Sequence, residues 1–323
     1  MKLYLAPLAG FTDAPFRRMC FEGGADLCYT EMVSAAGLAH GSSPTRHLME
    51  TMAGEGPVAC QIFGASESDI AFAAREISAL APRRFVELNL NAGCPMTKVT
   101  REGAGAALVK SPAKIYRLLK AMTDATDLPV TLKTRLGPRP GVNTVFEILD
   151  AAERAGASAI IVHARYTSQL HGGALDFETL AEVVARARIP VVGNGSVVDR
   201  ASLSAMSATG VDAVMIGRAA LAEPGVFNRL KGVAAAPADA AEKDRLFRRH
   251  LDYLLAFREQ LAAAFPGDHV PSPDGFASVK MHTHLFRYFN GRPGAAALRA
   301  RLNGVRSLAE IEEILSAGCD FSM

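Results

Sequence analysis

Eight short β-branched or aliphatic runs, separated by stretches with apolar residues at helical spacing, constrain this chain more than any other feature. The runs lie near Leu3-Ala6, Leu27-Met32, Val58-Phe63, Phe85-Asn91, Val130-Lys133, Ala159-His163, Pro190-Gly193 and Ala213-Gly217. Between them, sets such as Ile70, Ala73, Ala74, Ile77 and Phe146, Leu149, Ala152, Ala155 repeat every three or four residues, the signature of a helix with one buried face. Strands that are nearly all apolar are buried on both faces, as in a parallel sheet covered by helices. No Gly-x-Gly-x-x-Gly follows the first run, so the phosphate loop of an open dinucleotide-binding sheet is missing. The expected fold class is therefore α/β, a closed (β/α)8 TIM barrel over residues 1–231.

The texture changes at Gly232-Val233-Ala234-Ala235-Ala236-Pro237, which reads as a linker. Beyond it, helices are predicted over Ala240-Ala264, Ala277-Asn290, Gly294-Leu302 and Ser307-Ser316, giving a C-terminal helical domain over residues 232–323. The whole chain is nearly neutral, at +2, yet between Lys243 and Arg306 there are 11 Lys/Arg against five acids. A basic helical tail of this kind suits nucleic-acid phosphates, whereas the balanced total excludes a strongly basic DNA-packaging protein. Five scattered cysteines without a Cys-x-x-Cys pair argue against a disulfide framework or a zinc ribbon. With no signal-peptide run and no span of about 18 apolar residues, a cytoplasmic protein off the membrane is expected.

Active sites of such barrels lie at the C-terminal ends of the strands, and unusual polar residues fall there: Lys133, His163, Arg165, Asn194 and Arg218. The fourth run ends in Asn91-Ala92-Gly93-Cys94-Pro95, which puts a thiol at the barrel mouth. There Gly allows a tight turn and Pro fixes the next φ. A buried packing cysteine is the other reading of Cys94, since free Cys is among the most buried residue types. Lys133 also has two readings, a charge beside a ligand or a Schiff-base amine.

Six motifs in order carry a family resemblance: Leu5-Ala6-Pro7-Leu8-Ala9-Gly10-Phe11-Thr12-Asp13, Asn91 to Pro95, Lys133-Thr134-Arg135, His163-Ala164-Arg165, Gly193-Asn194-Gly195 and Gly217-Arg218. Together they resemble the tRNA-dihydrouridine synthases over essentially the whole chain. The resemblance implies an FMN-bound barrel that uses NADPH to reduce the 5,6 double bond of selected uridines in tRNA. It makes Cys94 the general acid that protonates carbon 5 of uracil, a role in which the thiol holds its proton until the reaction.

By the same resemblance Pro7, Leu8 and Ala9 would line the isoalloxazine, Gln61 would hydrogen-bond its edge, Lys133 would place a positive charge near the ring, and His163 would contact the flavin or its phosphate. Asn194, Gly195 and Ser196 would form one half of the phosphate site, and Gly217 and Arg218 the other. Asn91 and Arg165 would serve substrate, Asn91 at the flavin or uracil edge and Arg165 at a uracil carbonyl or a phosphate. One departure stands out: where many members have Asp-Leu-Asn, this chain has Asn89-Leu90-Asn91. In the tail, Arg245, Arg248, Arg249, Lys280, Arg287, Arg292, Arg299 and Arg301 are the residues expected to meet RNA phosphates, with His282, His284, Tyr288 and Phe289 available for stacking. The target base must leave its stack to reach the barrel. A monomer with tRNA as partner is expected, without DNA or a metal. The alternatives are an FMN barrel acting on a free small molecule such as a pyrimidine, and an RNA-binding scaffold without turnover.

Overall fold

The structure is a computed structural model that describes residues 1–81, 84–234, 236–288, 300–301 and 304–317. Nine parallel strands form its sheet: β1 (Lys2–Leu5), β2 (Leu27–Tyr29), β3 (Val33–Ser34), β4 (Val58–Phe63), β5 (Glu87–Ala92), β6 (Val130–Arg135), β7 (Ala159–His163), β8 (Val191–Asn194) and β9 (Ala213–Ile216). Because β2 pairs with both β1 and β4, and β1 with β9, eight strands close into a ring, with β3 as a short addition to β4. This is the expected (β/α)8 barrel.

The run expected as one strand, Leu27-Met32, is interrupted. Tyr29 pairs with Ala59 and Val33 with Ile62, so residues 30–32 stand opposite 60–61 and one residue bulges out. The Thr30 hydroxyl fills the broken ladder by accepting from the Gln61 N–H at 3.0 Å. A bulge re-aims side chains, and here it carries Glu31 and Met32 to the mouth. Strand β6 likewise runs two residues past its expected end, to Arg135.

Alternation along β5 explains what the barrel encloses. Leu88, Leu90 and Ala92 belong to the apolar layer between strands and helices, while Glu87, Asn89 and Asn91 face inward. Apolar interior packing is concentrated in the lower barrel, around Tyr29, Ala59, Ile161, Val192 and Met215.

Beyond the barrel, helices Ala240–Ala264, Pro273–Tyr288 and Leu308–Ala317 build a second core. The first is capped by Asp239, which accepts from the Glu242 N–H at 2.8 Å, and buries Phe247, Leu251, Leu254, Phe257 and Leu261 as one stripe. The expected Gly294-Leu302 helix lies outside the described residues except Ala300 and Arg301, which are helical; Phe289, Arg292, Arg299 and Cys319 also lie outside them.

Three tail residues expected at RNA are instead spent on the junction with the barrel. Lys280 pairs with Asp13 at 3.4 Å and Glu31 at 3.7 Å. His284, 1% exposed, packs on Phe11 and Phe16 with ring centroids 5.2 and 4.9 Å away, and Tyr288 is fully buried beside His250. Helical phase is the reason: Ala277, Met281, His284 and Tyr288 share the inward face of their helix. Among the described residues, no helix is long and apolar enough to cross a membrane.

Candidate active site

Cys94 sits just beyond β5, partly exposed, on a turn held from three directions. The Asn91 side-chain oxygen accepts from the backbone N–H of Gly93 at 3.1 Å and of Cys94 at 3.0 Å. Arg135 Nε donates to the Gly93 carbonyl at 2.8 Å, and the Ala106 N–H donates to the Cys94 carbonyl at 2.8 Å. The last contact needs Gly105, whose φ is +57° and at which a Cβ would lie 2.7 Å from the Cys94 carbonyl oxygen. A side chain there would push the turn away or force a strained backbone. Cys20, Cys28 and Cys60, by contrast, are fully buried, and burial pushes each of those thiols up, Cys60 to about 12.

Across the mouth lies a group of cations. Lys133 Nζ donates to the Asn194 side chain at 2.9 Å, and Asn194 in turn donates to the Met215 carbonyl at 2.8 Å. Arg165 donates to the Gly173 carbonyl at 2.9 Å and to the Ser196 hydroxyl at 2.9 Å, and its remaining terminal nitrogen faces His163 Nε2 at 3.3 Å. Arg135 spans the Gly93, Tyr166 and Leu170 carbonyls. Exposed Arg218 opens the helix after β9 and touches the His171 carbonyl at 3.3 Å. Among the described residues, none of these four cations has a carboxylate partner.

The electrostatics record that imbalance. Burial, reinforced by Arg135 and opposed by Cys94, pulls the Lys133 ammonium down to about 7. Burial likewise pulls Arg135 to about 10, with Cys94 opposing and Arg165 reinforcing; burial and then Arg218 lower Arg165. Burial, then Lys133, Arg135 and Arg165, hold His163 far below the ordinary imidazole range, so the ring is neutral and can accept from Arg165.

Two backbone features shape the loop after β8. Gly195 has φ +138°, and a Cβ there would meet Leu175 at 2.6 Å and His163 at 3.2 Å. Ser196 holds φ +48° and is exposed, one of two residues other than glycine with positive φ among those described. Backbone strain of this kind costs of order 1–3 kcal/mol and collects at ligand sites. Gly217 closes the facing side, where a Cβ would stand 3.7 Å from Ala6 and 3.8 Å from Leu8.

From the first strand, half-buried Pro7 and Leu8 and exposed Ala9 enter the mouth on a loop tied by the Thr12 hydroxyl to the Leu8 N–H at 3.1 Å and by Glu31 to the Gly10 N–H. Gln61 and Asn91 are bonded to each other at 2.8 Å inside the barrel. Asn89 faces the interior between Gln61 and Thr131, accepting from one and donating to the other at 2.7 Å each. An ionised carboxylate here could accept from Gln61 but could not donate to Thr131, so the amide sets the direction of this pair of bonds. The residues first singled out thus gather at one end of the barrel. The sequence names Arg135 only as part of the Lys133-Thr134-Arg135 motif, and gives no separate role to Arg135, Gly105 or Glu31. The period-2 spacing from Lys133 places Arg135 on the inward face, but nothing local announces the bulge that delivers Glu31.

Comparison with known proteins agrees with this architecture. Residues 4–319 match the family described as dihydrouridine synthase (Dus). The chain is 36% identical over 265 residues to tRNA-dihydrouridine synthase B of Klebsiella pneumoniae, covering 80% of this chain and 82% of that protein. To the enzyme of the same description in Escherichia coli (strain K12) it is 35% identical over 262 residues, covering 79% of this chain and 81% of that protein. Among solved structures, morphinone reductase shares the fold, with a TM-score of 0.51 at 14% identity over 75% of this chain and 88% of that one. With nearly its whole length matched and the motif-bearing residues collected at one barrel mouth, the chain belongs to the dihydrouridine synthase family.

Proposed function

We propose that this protein reduces the 5,6 double bond of uridines in tRNA, with bound FMN, NADPH as reductant and Cys94 as the general acid. The observation that carries the reading is the pairing, at one mouth, of a positioned thiol with cations that lack carboxylates. The donor set fits FMN: Arg165 and Arg218, which repel each other, suit its anionic phosphate, and the Gly195–Ser196 loop brings backbone close to the same place. Lys133 and the Asn91 amide would hold the ring edge, with fully buried Gln61 supporting Asn91 from behind, and Pro7, Leu8 and Ala9 would line one of its faces. When bound, FMN supplies the hydride that goes to carbon 6 of uracil.

Cys94 then delivers its Sγ proton to carbon 5. Its turn keeps that proton at one place, because Asn91, Arg135 and the Ala106 N–H fix the backbone on both sides of the residue. Neutral His163 orients Arg165 toward Ser196 and the mouth. Exposed Arg287 and the ion-paired Arg245, Arg248, Arg249 and Arg301 on the tail are the residues through which tRNA would be gripped. The setting we infer is the cytoplasm, where tRNA and NADPH meet, with the protein acting as a monomer.

Cys94→Ala should lower dihydrouridine formation about 10³-fold, the usual worth of a positioned general acid, while FMN binding and NADPH oxidation persist. Mass spectrometry of unmodified tRNA incubated with the purified protein, FMN and NADPH reads this directly. Normal modification by the variant would contradict the assignment of Cys94. Reduction of free uridine as fast as tRNA would replace the substrate with a small molecule.

A further inference from the structure

A single line of side chains crosses the barrel interior from the Cys94 turn to its opposite end. The Gly93 and Cys94 N–H groups donate to Asn91 Oδ1, and Asn91 Nδ2 donates to Gln61 Oε1 at 2.8 Å. Gln61 Nε2 donates to Asn89 Oδ1 at 2.7 Å, Asn89 Nδ2 to Thr131 Oγ1 at 2.7 Å, and the Thr131 hydroxyl to Glu87 Oε1 at 2.5 Å. Register makes this possible, since Gln61, Asn89 and Thr131 are direct neighbours across β4, β5 and β6. Both ends set the direction: a backbone N–H can only donate, and Glu87, whose carboxyl burial pushes up against the opposing hydrogen bonds from Thr131 and Tyr29, accepts in its ionised form. Every amide between them therefore has one orientation, and all the dipoles point toward Glu87.

Glu87 stands at the start of β5 and lines a cavity of about 610 Å³ at the N-terminal end of the barrel, together with Lys2, Tyr4, Asp26, Tyr29 and Asp212. Tyr29 gives the carboxylate a second donor at 2.8 Å. An anionic acceptor strengthens the bond it receives, and chains of hydrogen bonds polarise one another in a low-dielectric interior. Without that anion the Thr131 hydroxyl has another acceptor, the Leu88 carbonyl at 3.5 Å, and the amides above it lose their fixed sense.

We propose that Glu87 is a positioning residue for Cys94, acting through Thr131, Asn89, Gln61 and Asn91 to fix the amide that holds the catalytic turn. The catalytic consequence rests on the reading of Cys94 as proton donor; the structural one does not.

The test uses full-length protein carrying Glu87→Gln, Thr131→Val or both, with ¹⁵N–¹H spectra of the Gly93 and Cys94 amides and steady-state kinetics on tRNA. Glu87→Gln should move both amide protons upfield and lower kcat about tenfold at unchanged KM, the scale expected for a loosened catalytic geometry. Thr131→Val should reproduce the change, and the double variant should be no worse than Thr131→Val alone, because Glu87 reaches the turn only through the Thr131 hydroxyl. Thr131→Ser keeps the hydroxyl and should restore the original resonances. Unmoved amide resonances in Glu87→Gln, or additive effects in the double variant, would overturn the relay. Shifted resonances with undiminished turnover would leave the relay standing and overturn its part in catalysis, a result distinct from the Cys94→Ala test.

Discussion

The barrel mouth and the junction between barrel and tail use the same cationic residues in opposite ways. On the helix Ala14–Glu22, which packs against Ala240–Ala264 of the tail, Arg17 is fully buried with Glu55 at 2.7 Å on the barrel side, and at the junction Lys280 lies between Asp13 and Glu31. Burial would lower both cations, yet the neighbouring carboxylates outweigh it and hold Arg17 and Lys280 above their ordinary values. At the mouth Lys133, Arg135 and Arg165 are all displaced downward, because burial there meets no neighbouring carboxylate to outweigh it. Completed ion pairs mark the junction as architecture; unanswered positive charge marks the mouth as a place for an anion.

Breaking the junction should cost the most. Arg17→Met removes the charged partner of Glu55 and the donors to the Thr12 and Glu50 carbonyls, leaving a buried carboxylate with only the Met52 N–H at 2.7 Å. Urea unfolding should show a loss of about 3–5 kcal/mol. A loss under about 1 kcal/mol would mean that Glu55 finds water, and the contrast between the regions would weaken.

The junction also holds two buried imidazoles, His250 and His284, with rings 4.5 Å apart. Burial, with Lys280 adding to it, pushes His250 down to about 3; burial, then His250, holds His284 far below its ordinary range. Unfolded imidazoles titrate near 6.5, so below that pH the unfolded chain takes up protons that the folded chain refuses. Stability should therefore fall as pH falls, by about 2 kcal/mol for each imidazole between pH 7 and 5. Replacing both with Phe should flatten that slope in thermal melts at the two pH values.

At the mouth the expected effect is smaller and of a different kind. Lys133, at about 7, is mostly neutral at pH 8, and a bound anion favours its charged form. FMN binding should thus take up a fraction of a proton at pH 8 and almost none at pH 6, read by calorimetry in buffers of different ionisation enthalpy. Lys133→Met should abolish the uptake.

How far the sequence exposes all this depends on whether a feature is local. The eight ring strands are visible because Val58-Phe63 or Ala159-His163 are apolar on both faces wherever they sit. The bulge at Thr30–Met32 is hidden, since only the register against β4 reveals the extra residue. Cys94, Lys133 and Arg165 are legible from motifs at strand ends. The parts played by Glu87 and Arg135 are not, because spacing gives the face a charged residue takes inside a barrel but not its cross-strand partners. Charge counting misplaced Lys280, and aromatic character misplaced His284 and Tyr288, because neither reports which face of a helix meets the barrel.

The most direct measurement of the contrast is a titration of the purified protein with FMN and with riboflavin, the same ring without the phosphate, followed by flavin fluorescence. If the mouth cations form an anion site, FMN should bind about 100-fold more tightly, the worth of one or two charge-assisted hydrogen bonds. Arg165→Met and Arg218→Met should narrow that ratio, while a conservative change at the junction, Lys280→Arg, should leave it alone. Equal affinity for FMN and riboflavin, or a ratio indifferent to Arg165 and Arg218, would contradict the account.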